Sequence, residues 1–253
     1  MLFQAYGDTH QGKVRAFNQD CYLLNRTLQL FAVADGVEGR PYGEVASRMA
    51  VAELEKILKD LDVSADATPP EGEMKGMPLP ARAVKYALRE TNRRILEKSS
   101  QEGKLMGMAS TLSALWIKDD RVYIGHVGDS RIYLIRKGRA QQLTRDHTTM
   151  AEAEPNTAED IELYEDISPA SEHELSRALG ITPDIQVQLS GGTPQSGDTF
   201  LLCTDGLYSQ MREFEIVEAV AGKGPELACK KLIQLANAKG GKDNIALIVV
   251  QVS

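Results

Sequence analysis

Four aspartates stand where apolar runs begin or end beside glycine, serine or asparagine. Asp35 precedes the glycine of FAVADG, Asp129 lies in GHVGDS, Asp205 lies in FLLCTDG and Asp243 in GGKDN. A single Asp-Gly marks an ordinary turn. Four carboxylates at the ends of strand-like runs carry more, because strand ends of one sandwich can converge. Converging carboxylates repel unless a cation lies among them. An all-oxygen set without His or Cys suits hard ions, Mg²⁺ or Mn²⁺. The glycine after Asp35 permits the close backbone approach that a carbonyl ligand needs.

Missing motifs narrow the chemistry further. No G-x-x-x-x-G-K-[ST], H-E-x-x-H or G-x-S-x-G occurs, which leaves the P-loop, zinc-protease and hydrolase-elbow readings without support. His10, His126, His147 and His173 show no metal-ligand spacing, and Cys21, Cys203 and Cys229 form no Cys-x-x-Cys. Structural zinc and thioredoxin-like redox chemistry are therefore disfavoured. Cys203, inside FLLCTD, reads as a small buried apolar residue.

The elements that must position these aspartates follow from periodicity. Alternation and β-branched content predict strands at 2–8, 21–25, 28–35, 111–117, 121–129, 131–138, 185–190, 199–205 and 244–252. The runs 121–129 and 131–138 are parted only by Ser130, so they read as one bent strand or a tight hairpin. Helical spacing covers 43–61, 80–100, 212–220 and 225–239. In the last, Pro225 opens the helix and Gly240-Gly241 follow its end. Residues 62–79, with Pro69, Pro70 and Pro78, read as an exposed connection. Many strands with one central and one terminal helix pair fit an α+β domain, a central antiparallel β-sandwich flanked by helix pairs.

At 253 residues and 42% hydrophobic content the chain holds one sizeable core, read as a single domain over 1–253. Its longest apolar run, IALIVV at 245–250, is far below the ~18 residues of a membrane helix, and MLFQAYGDTH lacks a secretory pattern. The expectation is a cytoplasmic, soluble protein with no membrane partner. The formal charge of −7 argues against a dedicated nucleic-acid binder. Nine acidic residues fall between His147 and Leu175 with no Lys or Arg among them, while the other 27 acidic residues face 29 basic ones. The negative balance thus belongs to one segment, read either as a solvated excursion or as a cover beside a site.

Seven motifs in order carry a resemblance. They are VRAFNQD (14–20), VADGVEG (33–39), GDSRIYLIRKG (128–138), LTRDHT (143–148), LSRALG (175–180), LLCTDGL (201–207) and GKDN (241–244). The chain resembles the metal-dependent protein phosphatases of type 2C, the PPM family, in particular its compact bacterial members. The resemblance implies two divalent ions, Mg²⁺ or Mn²⁺. Asp35 would bridge them, the Gly36 carbonyl would bind one, and Asp205 and Asp243 would hold the other. Asp20 would act directly or through a coordinated water. Asp129 would help hold a weaker third ion, and Arg15 would grip the substrate phosphate. The acidic segment 147–175 falls at the family's variable flap. A metal-activated water would hydrolyse phosphoserine and phosphothreonine in phosphorylated proteins, opposing a Ser/Thr kinase, in a monomer.

The chain departs from the family pattern at four places. Gln19 replaces a common Glu, Val37 stands where eukaryotic members place a His, Ala109 replaces Gly, and Ala246 replaces Thr. None removes a principal ligand, but the general acid is left unassigned. Two alternatives accompany this reading. One is a catalytically weak or dead relative that binds phosphoproteins, disfavoured by the presence of Asp35, Asp205 and Asp243. The other is the same chemistry on a non-protein phosphoester.

Overall fold

The computed structural model describes residues 1–63, 76–148, 162–165 and 177–253. Its strands are β1 (Phe3–His10), β2 (Asp20–Asn25), β3 (Leu30–Asp35), β4 (Leu112–Lys118), β5 (Arg121–Val127), β6 (Arg131–Arg136), β7 (Arg139–Gln142), β8 (Glu162–Glu165), β9 (Gln188–Gly192), β10 (Thr199–Cys203) and β11 (Ile245–Val252). Its α-helices are α1 (Gly43–Asp60), α2 (Leu79–Gln101), α3 (Asp205–Tyr208), α4 (Glu213–Val220) and α5 (Pro225–Ala238). The strands form two antiparallel sheets, ordered β1-β11-β10-β6-β7 and β2-β3-β4-β5-β9-β8.

The central strands are apolar on both faces because each sheet is covered twice. Along β3, Phe31 and Val33 point between the sheets, while Leu30, Ala32 and Ala34 pack under α1 and α2. Along β10, Phe200 and Leu202 meet the sandwich interior, and Leu201 and Cys203 pack under α4 and α5. The period-2 alternation of a strand thus feeds three cores and gives four layers, helix pair, sheet, sheet, helix pair. Each fully buried Leu or Phe contributes roughly 1.5–3 kcal/mol, so the strand ends rise from a rigid frame. The α+β sandwich expected from the sequence is the fold observed.

Several local expectations are corrected. The runs 121–129 and 131–138 are neither one bent strand nor a hairpin. The chain leaves the second sheet at Val127 and enters the first at Arg131, so Gly128–Ser130 crosses between sheets and carries Asp129 at the seam. Residues 28 and 29 belong to the β2–β3 turn, where Gln29 has φ 53°. Residues 185–187 precede β9 without pairing, although Ile185 and Val187 are buried. The short edge strands β7 and β8 lack apolar alternation, the signal by which strands are read. Apart from residues 147–148 and the backbone of β8, the acidic segment lies outside the described residues, as does most of the 62–79 connection.

Candidate metal centre

Five elements end at the same rim of the sandwich. Asp35 is the last residue of β3 and Asp20 the first of β2, and the two are cross-strand partners. Asp205 follows β10 by two residues, Asp243 precedes β11 by two, and Asp129 sits on the crossover. A cavity of about 230 Å³ opens there, walled by Arg15, Asp35, Gly36, Asp129, Asp205 and Asp243, with Gln19, Val37, Glu38, Thr111 and Asn244 completing it. Asp20 lies beneath this wall, only 8% exposed.

Backbone and hydroxyl hydrogen bonds fix the carboxylates. Asp35 N–H donates to Thr111 Oγ1 (2.9 Å), and Thr111 N–H donates to the Asp35 carbonyl (2.8 Å). Thr204 Oγ1 donates to Asp20 Oδ2 (2.7 Å) and accepts from Ala246 N–H (2.9 Å). The crossover is braced from three sides. Tyr208 O–H donates to the Asp129 carbonyl (3.0 Å), Gly128 N–H donates to His147 Nδ1 (3.1 Å), and Thr111 and Ser130 pair through their hydroxyls (2.8 Å). Arg131, stacked 3.7 Å from the Tyr208 ring centroid, holds Asp146 with its fork. His126 and His147 are buried in this support and do not line the cavity.

Two glycines are required by close packing. A Cβ on Gly36 would lie 2.4 Å from the Gly43 carbonyl carbon at the start of α1, and one on Gly206 would lie 1.9 Å from the Asn244 carbonyl oxygen. The glycine after Asp35 therefore answers to the seating of α1 as well as to ligand approach.

Arg15 reaches the cavity from the loop before β2. Its Nη1 donates to Glu38 Oε1, and its Nη2 donates to Glu38 Oε2 (2.7 Å) and to Asp243 Oδ2 (2.6 Å). Asn244 clamps that loop. Its Nδ2 donates to the carbonyls of Gln11 (2.8 Å) and Phe17 (2.9 Å), and its Oδ1 accepts from Gln19 N–H (2.8 Å). Neither the clamp nor Glu38 was read from the sequence. Both lie inside quoted motifs, GKDN and VADGVEG, so position beside a candidate aspartate was the available signal.

The electrostatics are those of crowded acids. Burial, then the charges of Asp205 and Asp243, raises the Asp20 carboxyl to about 7 against the favourable bond from Thr204. Burial and the charge of Asp20 lift Asp35 well above the carboxylate range. Burial and the charge of Asp205 bring Asp129 to about 7, and burial with Asp243 raises Asp205. Asp20 Oδ1 is buried with no hydrogen-bond partner. A buried oxygen without a donor, among acids raised by one another, fits a divalent cation as the missing compensation. No three His, Cys, Asp or Glu side chains among the described residues already stand as a ready-made metal-holding group; the acids are instead ranged along the cavity wall and just beneath it.

The family model described as "Protein phosphatase 2C" matches residues 6–230. The chain is 32% identical over 247 residues to the serine/threonine phosphatase stp of Listeria monocytogenes, covering 96% of this chain and 93% of that one. It is also 32% identical to the serine/threonine protein phosphatase PstP of Mycobacterium tuberculosis, covering 96% of this chain and 43% of the relative. The chain thus spans less than half the length of PstP. Among solved structures, the catalytic domain of PstP in complex with two manganese ions superposes with a TM-score of 0.78 at 29% identity, over 99% of both chains.

Proposed function

The chain belongs to the protein phosphatase 2C family, and on that premise we propose that it is a metal-dependent phosphatase of phosphoserine and phosphothreonine in proteins. The observation that carries the reading is the ring of aspartates from separate strand ends around one cavity that also holds Arg15. Asp35, Asp205, Asp243 and the Gly36 carbonyl would hold two divalent ions, Mg²⁺ or Mn²⁺. Asp20 would act from beneath, and Asp129 would help hold a weaker third. Bound there, such ions supply a water whose pKa is lowered toward neutrality.

Arg15 presents a planar fork to the phosphate, holding two of its oxygens and stabilising charge that grows on them during in-line transfer. Asn244 keeps the Arg15 loop in place through the Gln11 and Phe17 carbonyls. The cysteines take no part. Burial raises the thiols of Cys21 and Cys203 and pushes that of Cys229 to about 12, so none supplies a thiolate nucleophile. Water, and no covalent phosphoenzyme, is the acceptor.

We read residues 1–253 as one catalytic domain, a cytoplasmic monomer acting on phosphoproteins and opposing a Ser/Thr kinase. No helix among the described residues is long and apolar enough to cross a membrane. The test is a panel of phosphoserine and phosphothreonine peptides set beside small phosphoesters, with Mn²⁺ and with EDTA. Mn²⁺-dependent release of phosphate from the peptides is expected. Turnover of small phosphoesters alone would overturn the protein-substrate assignment, and undiminished turnover in EDTA would overturn the metal.

A further inference from the structure

The fork of Arg15 is already taken. A guanidinium binds a carboxylate and a phosphate with the same two parallel N–H donors, and Arg15 Nη1 and Nη2 meet both oxygens of Glu38 in that arrangement. The second partner, Asp243, belongs to the rim of aspartates and is 30% exposed. Glu38 is not part of that rim and its side chain is 73% exposed. The hydrogen bonds of its carboxylate run to Arg15, and Arg15 in turn draws the Glu38 carboxyl below its usual range. Residues 38–42 are exposed, and Gly39, at φ 75°, has nothing near it that a side chain would meet. The segment carrying Glu38 has room to swing away, whereas Asp243 is anchored beside β11.

We propose that Glu38 is a competing carboxylate: it occupies the phosphate-binding face of Arg15, and a phosphate-bearing ligand must displace it to bind. This rests on the reading of Arg15 as the phosphate clamp. Glu38 is then a determinant of substrate affinity that leaves the chemical step alone, because once displaced it no longer touches the reacting atoms. The competition is modest. An exposed pair is screened by solvent, and its removal corresponds to about two- to fivefold in affinity. A doubly charged phosphate group, with more charge to offer the fork than a carboxylate, wins that competition at moderate concentration.

The test is a double-mutant cycle of Glu38→Gln and Arg15→Ala in the Mg²⁺-loaded protein, with two readouts. One is steady-state hydrolysis of a phosphothreonine peptide, resolved into KM and kcat. The other is calorimetric titration with inorganic phosphate, which needs no turnover. Glu38→Gln is expected to lower both KM and the phosphate Kd about two- to fivefold, with the change in KM and not in kcat. The same substitution in the Arg15→Ala background is expected to change neither. Unchanged KM and Kd in the single variant would overturn the proposal. So would an equal improvement without Arg15, which would make Glu38 a general negative charge at the rim. Should even the wild-type protein hydrolyse no peptide, the phosphatase reading fails, and the phosphate titration still decides the role of Glu38.

Discussion

Strand β10 has an aspartate at each end, one buried and one half-buried, and the molecule treats the two in opposite ways. Asp198, just before the strand, is 1% exposed and fully matched. Arg136 donates to it through Nε (2.8 Å) and Nη2 (2.7 Å), and Gln195 N–H adds a third bond (2.6 Å). Asp205, just past the other end, has acids for neighbours. Burial and Asp243 raise its carboxyl, and Arg15 opposes them only in part. One end fastens the fold by pairing its carboxylate with Arg136. The other keeps unmatched carboxylates together at a cost in stability, which marks a site that works on something else. Size does not locate that site. A larger cavity, of about 530 Å³, opens at the Asp198 end, but its buried carboxylate is already paired with Arg136.

The sharpest way to break this comparison is to neutralise each aspartate in turn. Asp205→Asn keeps volume and removes ligand charge. The several kcal/mol that bound metal supplies to such reactions correspond to about 10³-fold in rate, so activity should fall at least that far. The fold, followed by circular dichroism in EDTA, should be as stable as wild type or more so, because repulsion is relieved. Asp198→Ala should do the reverse. Breaking this buried pair should cost about 3–5 kcal/mol of stability, read by urea unfolding, while kcat of the folded fraction stays near wild type. Intact turnover in Asp205→Asn, or a dead but stable Asp198→Ala, would invert the assignment.

Arg15→Ala sharpens the same contrast from the cation's side. Arg136 serves a resident carboxylate, whereas Arg15 is read as serving a visiting phosphate. A charged hydrogen bond contributes about 1.5–3 kcal/mol, so kcat/KM on a phosphopeptide should fall roughly 10–150-fold. Activity within twofold of wild type would assign Arg15 to surface pairing alone.

The comparison also bears on how stability depends on pH. Asp20 and Asp129, held near 7 in the folded protein against an ordinary value of 3.8, bind more protons folded than unfolded. Their contribution is therefore most favourable below about pH 4 and is lost as pH rises through about 7. In EDTA the melting temperature should be lower at pH 8 than at pH 5, and Mn²⁺ at pH 8 should restore it. A melting temperature that rises with pH in EDTA would count against a crowded acid cluster.

Much of this was legible in the sequence, and the reason is local. Asp35, Asp205 and Asp243 each stand at the start or end of an apolar run beside a glycine or asparagine, so strand, strand end and candidate ligand are written within seven residues. The layers were legible because β3, β10 and β11 are apolar on both faces. What escaped depends on distant partners. The pairing of β5 and β6 with different sheets is decided across the sandwich, while the Gly128–Ser130 stretch resembles any short turn. The grip of Glu38 on Arg15 joins residues 23 apart, and the Asn244 clamp spans more than 200. Asp20, expected to act directly or through a coordinated water, lies beneath the cavity wall at 8% exposure, a depth that strand periodicity does not encode.

Calorimetric titration of the EDTA-stripped protein with Mn²⁺ at pH 7 tests the central claim most directly. The unmatched end of the sandwich should take up two ions tightly with release of protons, and Asp205→Asn should lose that uptake while Asp198→Ala, where folded, keeps it. No saturable uptake by the wild-type protein, or the same stoichiometry in Asp205→Asn, would contradict the account.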